Sequence, residues 1–197
     1  MSGSGGIGRG PRKPVSPHAL GAVAVLVGLA WTFRSTLAGG PALHWLGAPF
    51  ALFVLGPRWG LVAVTGGALF AAGTGVVAWS HLPLRLLLDG LVPVGIAWAW
   101  LRFVERRLPA HLFVYLFVAV FGGALLALLS AGALQRWMLA PAFASVRSGD
   151  AWIALLIMAE GEALSTGLLV TGLALYRPEW LYTFDPERYL RRPPPDA

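Results

Sequence analysis

Four side chains with the chemistry of metal ligands stand among apolar residues: His44, His81, Asp89 and Glu162. Imidazole nitrogens and carboxylate oxygens bind divalent transition metals, and the Irving–Williams order favours copper or nickel over cobalt at a mixed site of this kind. One neutral imidazole alone binds a divalent transition metal poorly, so His44 would need His81, Asp89 or Glu162 beside it. The alternative for His44 is an interfacial pair of amphipathic rings with its neighbour Trp45.

The acidic candidates also have alternative interpretations. Arg85 and Asp89 are four residues apart on one helix face, so they can neutralise each other. Glu160 and Glu162 are two residues apart, which places them about 200° apart around a helix, so they cannot both face one cavity. Glu162 shares its face with a serine and a threonine one turn later. We therefore expect Glu162, rather than Glu160, to face the interior.

The sequence lacks the residues and motifs of most soluble catalytic sites. It has no cysteine, which excludes thiolate zinc sites, iron–sulfur clusters, disulfides and cysteine nucleophiles. It also has no phosphate-binding Gly-Lys-Ser loop, zinc-protease helix or nucleophile elbow. The sequence therefore predicts no catalytic activity, and any ATP hydrolysis is expected of another chain. A membrane-embedded enzyme that uses Glu160 or Glu162 is the remaining enzymatic alternative.

The elements that must position these side chains are membrane helices. Of the 197 residues, 57% are hydrophobic and only 12% are charged, and the mean hydropathy is +0.69. A soluble domain needs roughly a quarter of its residues charged, so the main solvent of this chain is lipid. The net charge of +6 does not indicate nucleic acid, because the cations lie between apolar runs.

Apolar stretches define an all-α, polytopic membrane bundle of about six transmembrane helices. The Gly-, Pro- and Ser-rich residues 1–17 are expected to form a disordered tail, residues 18–176 the transmembrane domain, and residues 177–197 a juxtamembrane tail. The second stretch is interrupted by Gly39, Gly40 and Pro41, so a re-entrant segment is an alternative there. The six stretches are residues 18–33, 37–56, 60–80, 82–101, 110–134 and 151–176.

Cation placement predicts that both termini are cytoplasmic in a cell inner membrane. In a six-span arrangement, eleven of the 15 Lys and Arg residues fall on the cytoplasmic side. This orientation places all four candidate ligands in the outer half, where ionisable groups normally face a cavity or the bundle interior. The alternative is a cleaved signal peptide with its core at residues 19–31, although Arg34 interrupts that pattern.

Small residues recur at four-residue spacing, as in Ala24 and Gly28 or Gly123 and Ala127. Such faces allow close approach of helix backbones in lipid. They predict either packing within the bundle or a surface for another membrane subunit.

Two sequence motifs resemble the CbiM family, the cobalt/nickel substrate-binding components of energy-coupling-factor transporters. The family has a His-Leu-Leu-Gly stretch, and a Gly-Pro-Trp motif begins nine residues after its glycine. The similar residues here are Leu43-His44-Trp45-Leu46-Gly47 and, at the same spacing, Gly56-Pro57-Arg58-Trp59. Glu162 and Thr166, with Arg177-Pro178-Glu179, resemble its Glu-Gly-x-x-Thr span that ends in Arg-Pro-Asp/Glu. Residues 112–118 and 176–185 are closer still to small proteobacterial permease-type members. The resemblance covers about residues 41–190.

The resemblance implies a substrate-binding or permease component for uptake of a divalent transition-metal ion such as cobalt or nickel. Such a component works with a membrane partner subunit and separate ATPase subunits. The family's metal site uses the terminal amine, a His at position two and the His of the His-Leu-Leu-Gly motif. Only the last has a counterpart here, His44, because the chain opens Met1-Ser2-Gly3. The alternative is a non-transporting accessory or assembly protein with a degenerate metal site.

Overall fold

Helices account for nearly all of the computed structural model, which describes residues 15–32, 34–36, 42–44, 47–138 and 148–190. Most of the predicted amino-terminal tail therefore lies outside the described residues. The helices are α1 (Pro17–Thr32), α2 (Ala48–Gly73), α3 (Leu82–Arg85), α4 (Val92–Arg107), α5 (Gly122–Met138), α6 (Ser148–Tyr176) and α7 (Pro186–Tyr189). Strands β1 (Arg34–Thr36) and β2 (Ala42–His44) form an antiparallel pair in which Arg34 lies opposite His44.

Within the described residues, four helical stretches are long and apolar enough by length and composition to cross a membrane, and α1 is a shorter apolar helix. One of the four, Ala48–Gly73, is divided by a turn at Gly56. Two of the four contain π-helical segments, Leu86–Leu91 and Val114–Phe121, which join smoothly to the α-helices beside them. The predicted fold class, an all-α membrane bundle of about six helices, is confirmed. The four long helices are Ala48–Gly73, Trp79–Arg107, Val114–Met138 and Gly149–Tyr176.

Helix α2 is not straight, because the chain folds back at Gly56. This glycine has non-helical angles, φ 79° and ψ 175°. A β carbon on Gly60 would lie 3.0 Å from the carbonyl oxygen of Ala51, whereas residues nine positions apart in a straight helix are separated by about 13 Å. Residues 48–55, which we call the half-helix, therefore pack alongside residues 57–73.

The half-helix corrects the predicted second span. A helix was expected over residues 37–56, but β2 occupies residues 42–44 and the helical part begins only at Ala48. Every residue from Ala48 to Gly56 is buried, so the hydrophobicity of this stretch reflects the protein interior rather than lipid. Hydropathy alone does not separate these two environments. The re-entrant alternative describes the observed element better.

Glycines allow α1 and α2 to pack at close range. A β carbon on Gly67 would lie 2.8 Å from Val27 Cγ1 and 2.9 Å from the backbone nitrogen of Gly28. In the same way, a β carbon on Gly123 would lie 3.0 Å from the Trp100 ring. These contacts support the interpretation that the small-residue faces serve packing within the bundle.

Side-chain contacts bring several chain segments to one end of the bundle, which we call the tail end. Arg188, in the segment after α6, donates to the carbonyl oxygen of Glu105 near the end of α4. Thr183, in the same segment, contacts Phe53 near the end of the half-helix. A β carbon on Gly66 would lie 3.7 Å from Ala24, and one on Gly28 would lie 3.0 Å from the Phe70 ring. Because the contacts advance together along both helices, α1 runs parallel to residues 57–73 and also begins at the tail end.

Candidate functional site

The half-helix begins with a hydrogen bond to a distant carboxylate. The backbone N–H of Gly47 donates to Glu162 Oε1 at 2.7 Å, although the two residues are far apart in the chain. Gly47 has φ 64° and no side chain to cap the helix. Glu162 therefore serves as the N-terminal cap, where the unpaired N–H groups and the helix dipole favour a negative charge.

Glycine is required at position 47 for two reasons. Its φ lies in the left-handed region, which residues with a β carbon rarely adopt. A β carbon there would also lie 3.1 Å from Val27 Cγ2. The tight turn into the half-helix, packed on α1, therefore presents its amide directly to Glu162.

His44 is three residues before this capped amide, at the end of β2. Three residues span at most about 11 Å even when fully extended. The Glu162 contact therefore restrains the position of β2, Ala42–His44, which we call the His44 segment. The imidazole itself lies outside the described side chains. The role of His44 as a metal ligand stays a prediction.

The two glutamates of α6 lie in different environments. The side chain of Glu162 is buried, with 2% of its surface exposed, as is that of Thr166, whereas Glu160 is exposed. Helix α6 is therefore rotated as the polar stripe indicated, with Glu162 inward. The role of Glu162 as a metal ligand stays a prediction.

Asp89 is fully buried and its carboxylate is already engaged. Arg85 Nη1 lies 3.2 Å from Asp89 Oδ2, and Gln135 Nε2 donates to Oδ1. A buried carboxylate normally needs such partners. The geometry favours the charge-neutralising interpretation of Asp89, with Gln135 as a partner that sequence spacing did not reveal.

His81 differs from the buried carboxylates in its exposure. Its side chain is exposed in the turn Trp79–His81, which precedes α3. Among the described residues, no three His, Cys, Asp or Glu side chains are grouped closely enough to hold a metal ion. The predicted set of His44, Glu162, Asp89 and His81 is therefore not assembled by the part of the chain that the structure describes. The set stays a prediction.

The other end of the half-helix is capped by the segment that follows α6. The backbone N–H of Tyr182 donates to the carbonyl oxygen of Val54 at 2.9 Å, and Thr183 Oγ1 donates to that of Phe53 at 2.9 Å. The Phe53 carbonyl also accepts a longer bond from the Thr183 amide at 3.4 Å. The last carbonyls of a helix have no partner within it, so the bonds from Tyr182 and Thr183 satisfy carbonyl groups that would otherwise be buried and unpaired. The Tyr182 ring covers Gly56, where a β carbon would lie 2.6 Å from Cδ1.

The helical segment Val114–Phe121 also takes part in this capping, through the phenol hydroxyl of Tyr115. The hydroxyl groups of Tyr115 and Thr183 are 2.8 Å apart. Since the single hydroxyl proton of Thr183 is donated to Phe53, the Tyr115 hydroxyl is the donor to Thr183 Oγ1. Sequence reasoning missed these contacts, because they join residues that are distant in the chain and follow no helical period.

The segment of residues 177–190, which we call the tail, is held by aromatic and ionic contacts. The rings of Tyr115, Phe184 and Tyr189 have centroids 4.9 to 5.5 Å apart. Arg188 lies 3.7 Å from Glu105, which also pairs with Arg102 at 2.9 Å. Burial raises the pKa of Tyr189 to about 12, so its phenol is neutral at physiological pH. The tail is thus packed against the bundle.

Comparison with known proteins identifies the family. The family model described as the cobalt uptake substrate-specific transmembrane region, CbiM, matches residues 9–180. No curated protein and no solved structure matches the chain significantly. The matched region includes the His44 segment, the half-helix, Glu162 and the beginning of the tail. With most of its length matched, the chain belongs to the CbiM family, the substrate-specific transmembrane components of cobalt uptake.

Proposed function

We propose that this chain is the substrate-binding or permease component for uptake of a divalent transition-metal ion. Cobalt is the substrate that the family description supports, and nickel or copper are the competitors that imidazole and carboxylate ligands would accept. The observation that carries the proposal is the Gly47–Glu162 hydrogen bond. It fixes a buried acidic group beside the segment of His44, inside a multi-pass membrane protein of this family.

The proposed ligands differ in the support they receive from the fold. His44 is proposed as the principal ligand, since it belongs to the motif that resembles the family's metal-binding stretch. Glu162 is proposed either to complete the site or to hold the His44 segment in place. Asp89 and His81 stay as further candidates, with Asp89 engaged by Arg85 and His81 exposed.

We infer that the chain works with partners and is not itself an enzyme. The sequence contains no nucleotide-binding motif, so a separate ATPase would supply the energy and a second membrane subunit would transmit it. With both termini cytoplasmic in the inner membrane, the His44 segment would open toward the outer side. The tail end would then face the partners in the cytoplasm.

A second function has one specific observation in its favour. Among the described residues, no three His, Cys, Asp or Glu side chains are grouped closely enough to hold a metal ion. A non-transporting accessory or assembly protein with a degenerate metal site would have this property. Such a protein would retain the bundle without binding metal.

The metal content of the purified protein distinguishes the two functions. The detergent-purified chain is incubated with equal concentrations of Co²⁺, Ni²⁺ and Cu²⁺, passed through a desalting column and analysed by mass spectrometry of the metals. A transport component is expected to retain about one metal ion per chain. Retention no greater than that of an unrelated membrane protein of similar size would favour the accessory function.

A further inference from the structure

The half-helix is joined to Glu162 at its first end, through the Gly47 amide, and to the tail at its other end by hydrogen bonds. Glu162 lies at the first of these ends, where the chain enters from the His44 segment. Thr183 lies at the second, at the tail end of the bundle. Eight helical residues measure about 12 Å, so one compact element joins the two sites.

The surroundings of the half-helix leave little room for bending or independent movement. The side chains of Ala51, Leu52 and Phe53 have no exposed surface. The close approach of Ala51 to Gly60 fixes one side of the element, and the Phe53 ring lies 3.5 Å from where a β carbon on Gly123 would be. Because packed interiors resist continuous deformation, a displacement at one end is transmitted to the other end.

We propose that Thr183 and Tyr115 are positioning residues for the metal-binding segment, which act on it through the half-helix. The Tyr115 hydroxyl orients the Thr183 hydroxyl, and Thr183 holds the Phe53 carbonyl. This anchoring sets the place at which the Gly47 amide meets Glu162, three residues from His44. The inference rests on the proposed function for its effect on metal binding.

The contacts of the tail allow a partner subunit to act on the half-helix. A subunit that displaces the tail from Gly56 would remove three hydrogen bonds from the end of the half-helix, one from the Tyr182 amide and two from the amide and hydroxyl of Thr183. The half-helix would then lose its anchor at the tail end, and any shift of this rigid element would change the Gly47–Glu162 contact. The half-helix therefore connects the tail to the His44 segment.

The test compares substitutions that remove a single hydroxyl. Thr183→Val keeps the shape of the side chain and removes the hydroxyl bond to the Phe53 carbonyl, leaving the longer bond from the Thr183 amide at 3.4 Å. Thr183→Ser keeps the hydroxyl and should behave like the unmodified protein. Thr171→Val is the matched control, because the Thr171 hydroxyl bonds only within its own helix, to the carbonyl of Gly167. Tyr115→Phe removes the phenolic donor alone and provides a second, independent variant.

The first measurement is hydrogen exchange of residues 47–55 in the metal-free protein, which does not depend on metal binding. Loss of a buried hydrogen bond typically costs enough to speed exchange by about five- to a hundredfold. We expect this in Thr183→Val, extending to the Gly47 end, with a smaller rise in Tyr115→Phe. Thr183→Ser and Thr171→Val should exchange like the unmodified protein. A rise confined to residues 52–55 and the tail, or an equal rise in Thr183→Ser, would overturn the proposal.

The second measurement is Co²⁺ affinity in the same variants. We expect about tenfold weaker binding in Thr183→Val, of the size seen when a group that orients a ligand is lost, and unchanged binding in Thr171→Val. Unchanged affinity in Thr183→Val, with faster exchange at Gly47, would refute the positioning role. If the unmodified protein binds no metal, the proposed function fails, while the exchange result still decides whether the two ends of the half-helix are coupled.

Discussion

Replacing Glu162 by glutamine should destabilise the protein, whereas the same change at Glu160 should not. Both substitutions remove one negative charge from α6 and keep the side-chain shape. Glu162 is buried and bonds the Gly47 amide at 2.7 Å, but Glu160 is exposed. The pair is therefore a matched test of whether the half-helix depends on its carboxylate cap.

The expected magnitude follows from two contributions at the Gly47 amide. A hydrogen bond to a charged acceptor contributes about 1 kcal/mol more than one to a neutral acceptor. A negative charge at a helix N-terminus adds about 1 kcal/mol in a partly buried geometry. Glu162→Gln should therefore lower the free energy of unfolding by about 2 kcal/mol, and Glu160→Gln by less than about 0.5 kcal/mol, the range typical of surface changes.

Equilibrium unfolding in detergent micelles, followed by fluorescence of the nine tryptophans, measures both values. The metal affinity of the two variants is measured beside it, where Glu162→Gln should be the weaker binder. Equal destabilisation by the two substitutions would refute the capping argument. A larger effect of Glu160→Gln would mean that α6 is rotated with Glu160 facing the interior.

Three further predictions concern orientation and packing. A reporter fused after Asp196 should behave as cytoplasmic and one inserted near Ser148 as extracytoplasmic; the opposite pattern would reverse the proposed orientation. Gly67→Ala should cost about 1–3 kcal/mol of unfolding free energy, because its β carbon would press on the α1 backbone. The neighbouring Gly66→Ala should be nearly neutral, because its nearest contact would be an ordinary 3.7 Å. Equal costs in the two variants would contradict the observed packing. Gly56→Ala should lower the free energy of unfolding by about 1–3 kcal/mol, since φ 79° with ψ 175° suits only glycine. The same change should expose the tail to limited proteolysis. An unchanged cleavage pattern would argue against docking of the tail at this turn.

The sequence contained enough information for the membrane bundle and for the orientation of α6. Composition and apolar runs identify the long helices because lipid selects for them directly. The helical period places Glu162 on the face of Thr166, and both are buried. The prediction failed at residues 37–56, where an apolar stretch is buried by protein instead of crossing lipid as a helix.

The contacts at the ends of the half-helix were beyond sequence reasoning. Glu162 and Gly47 are 115 positions apart, and Thr183 and Phe53 are 130 apart, so no local pattern relates them. A signal was present in Gly56-Pro57, which marks a turn, but a turn does not reveal which distant segment caps it. The contact of Asp89 with Gln135 on α5 was likewise not predicted, because these two residues are also distant in the chain.

Cobalt binding to His44→Ala tests the central claim most directly. Isothermal titration of the purified protein with Co²⁺ gives the affinity of the unmodified chain, of His44→Ala and of His81→Ala. We predict that His44→Ala weakens binding by well over tenfold, since even loss of a group that only orients a ligand costs about 10–100-fold, while the exposed His81 contributes far less. Unchanged affinity in a folded His44→Ala protein would contradict the claim and return His44 to the role of an interfacial ring beside Trp45.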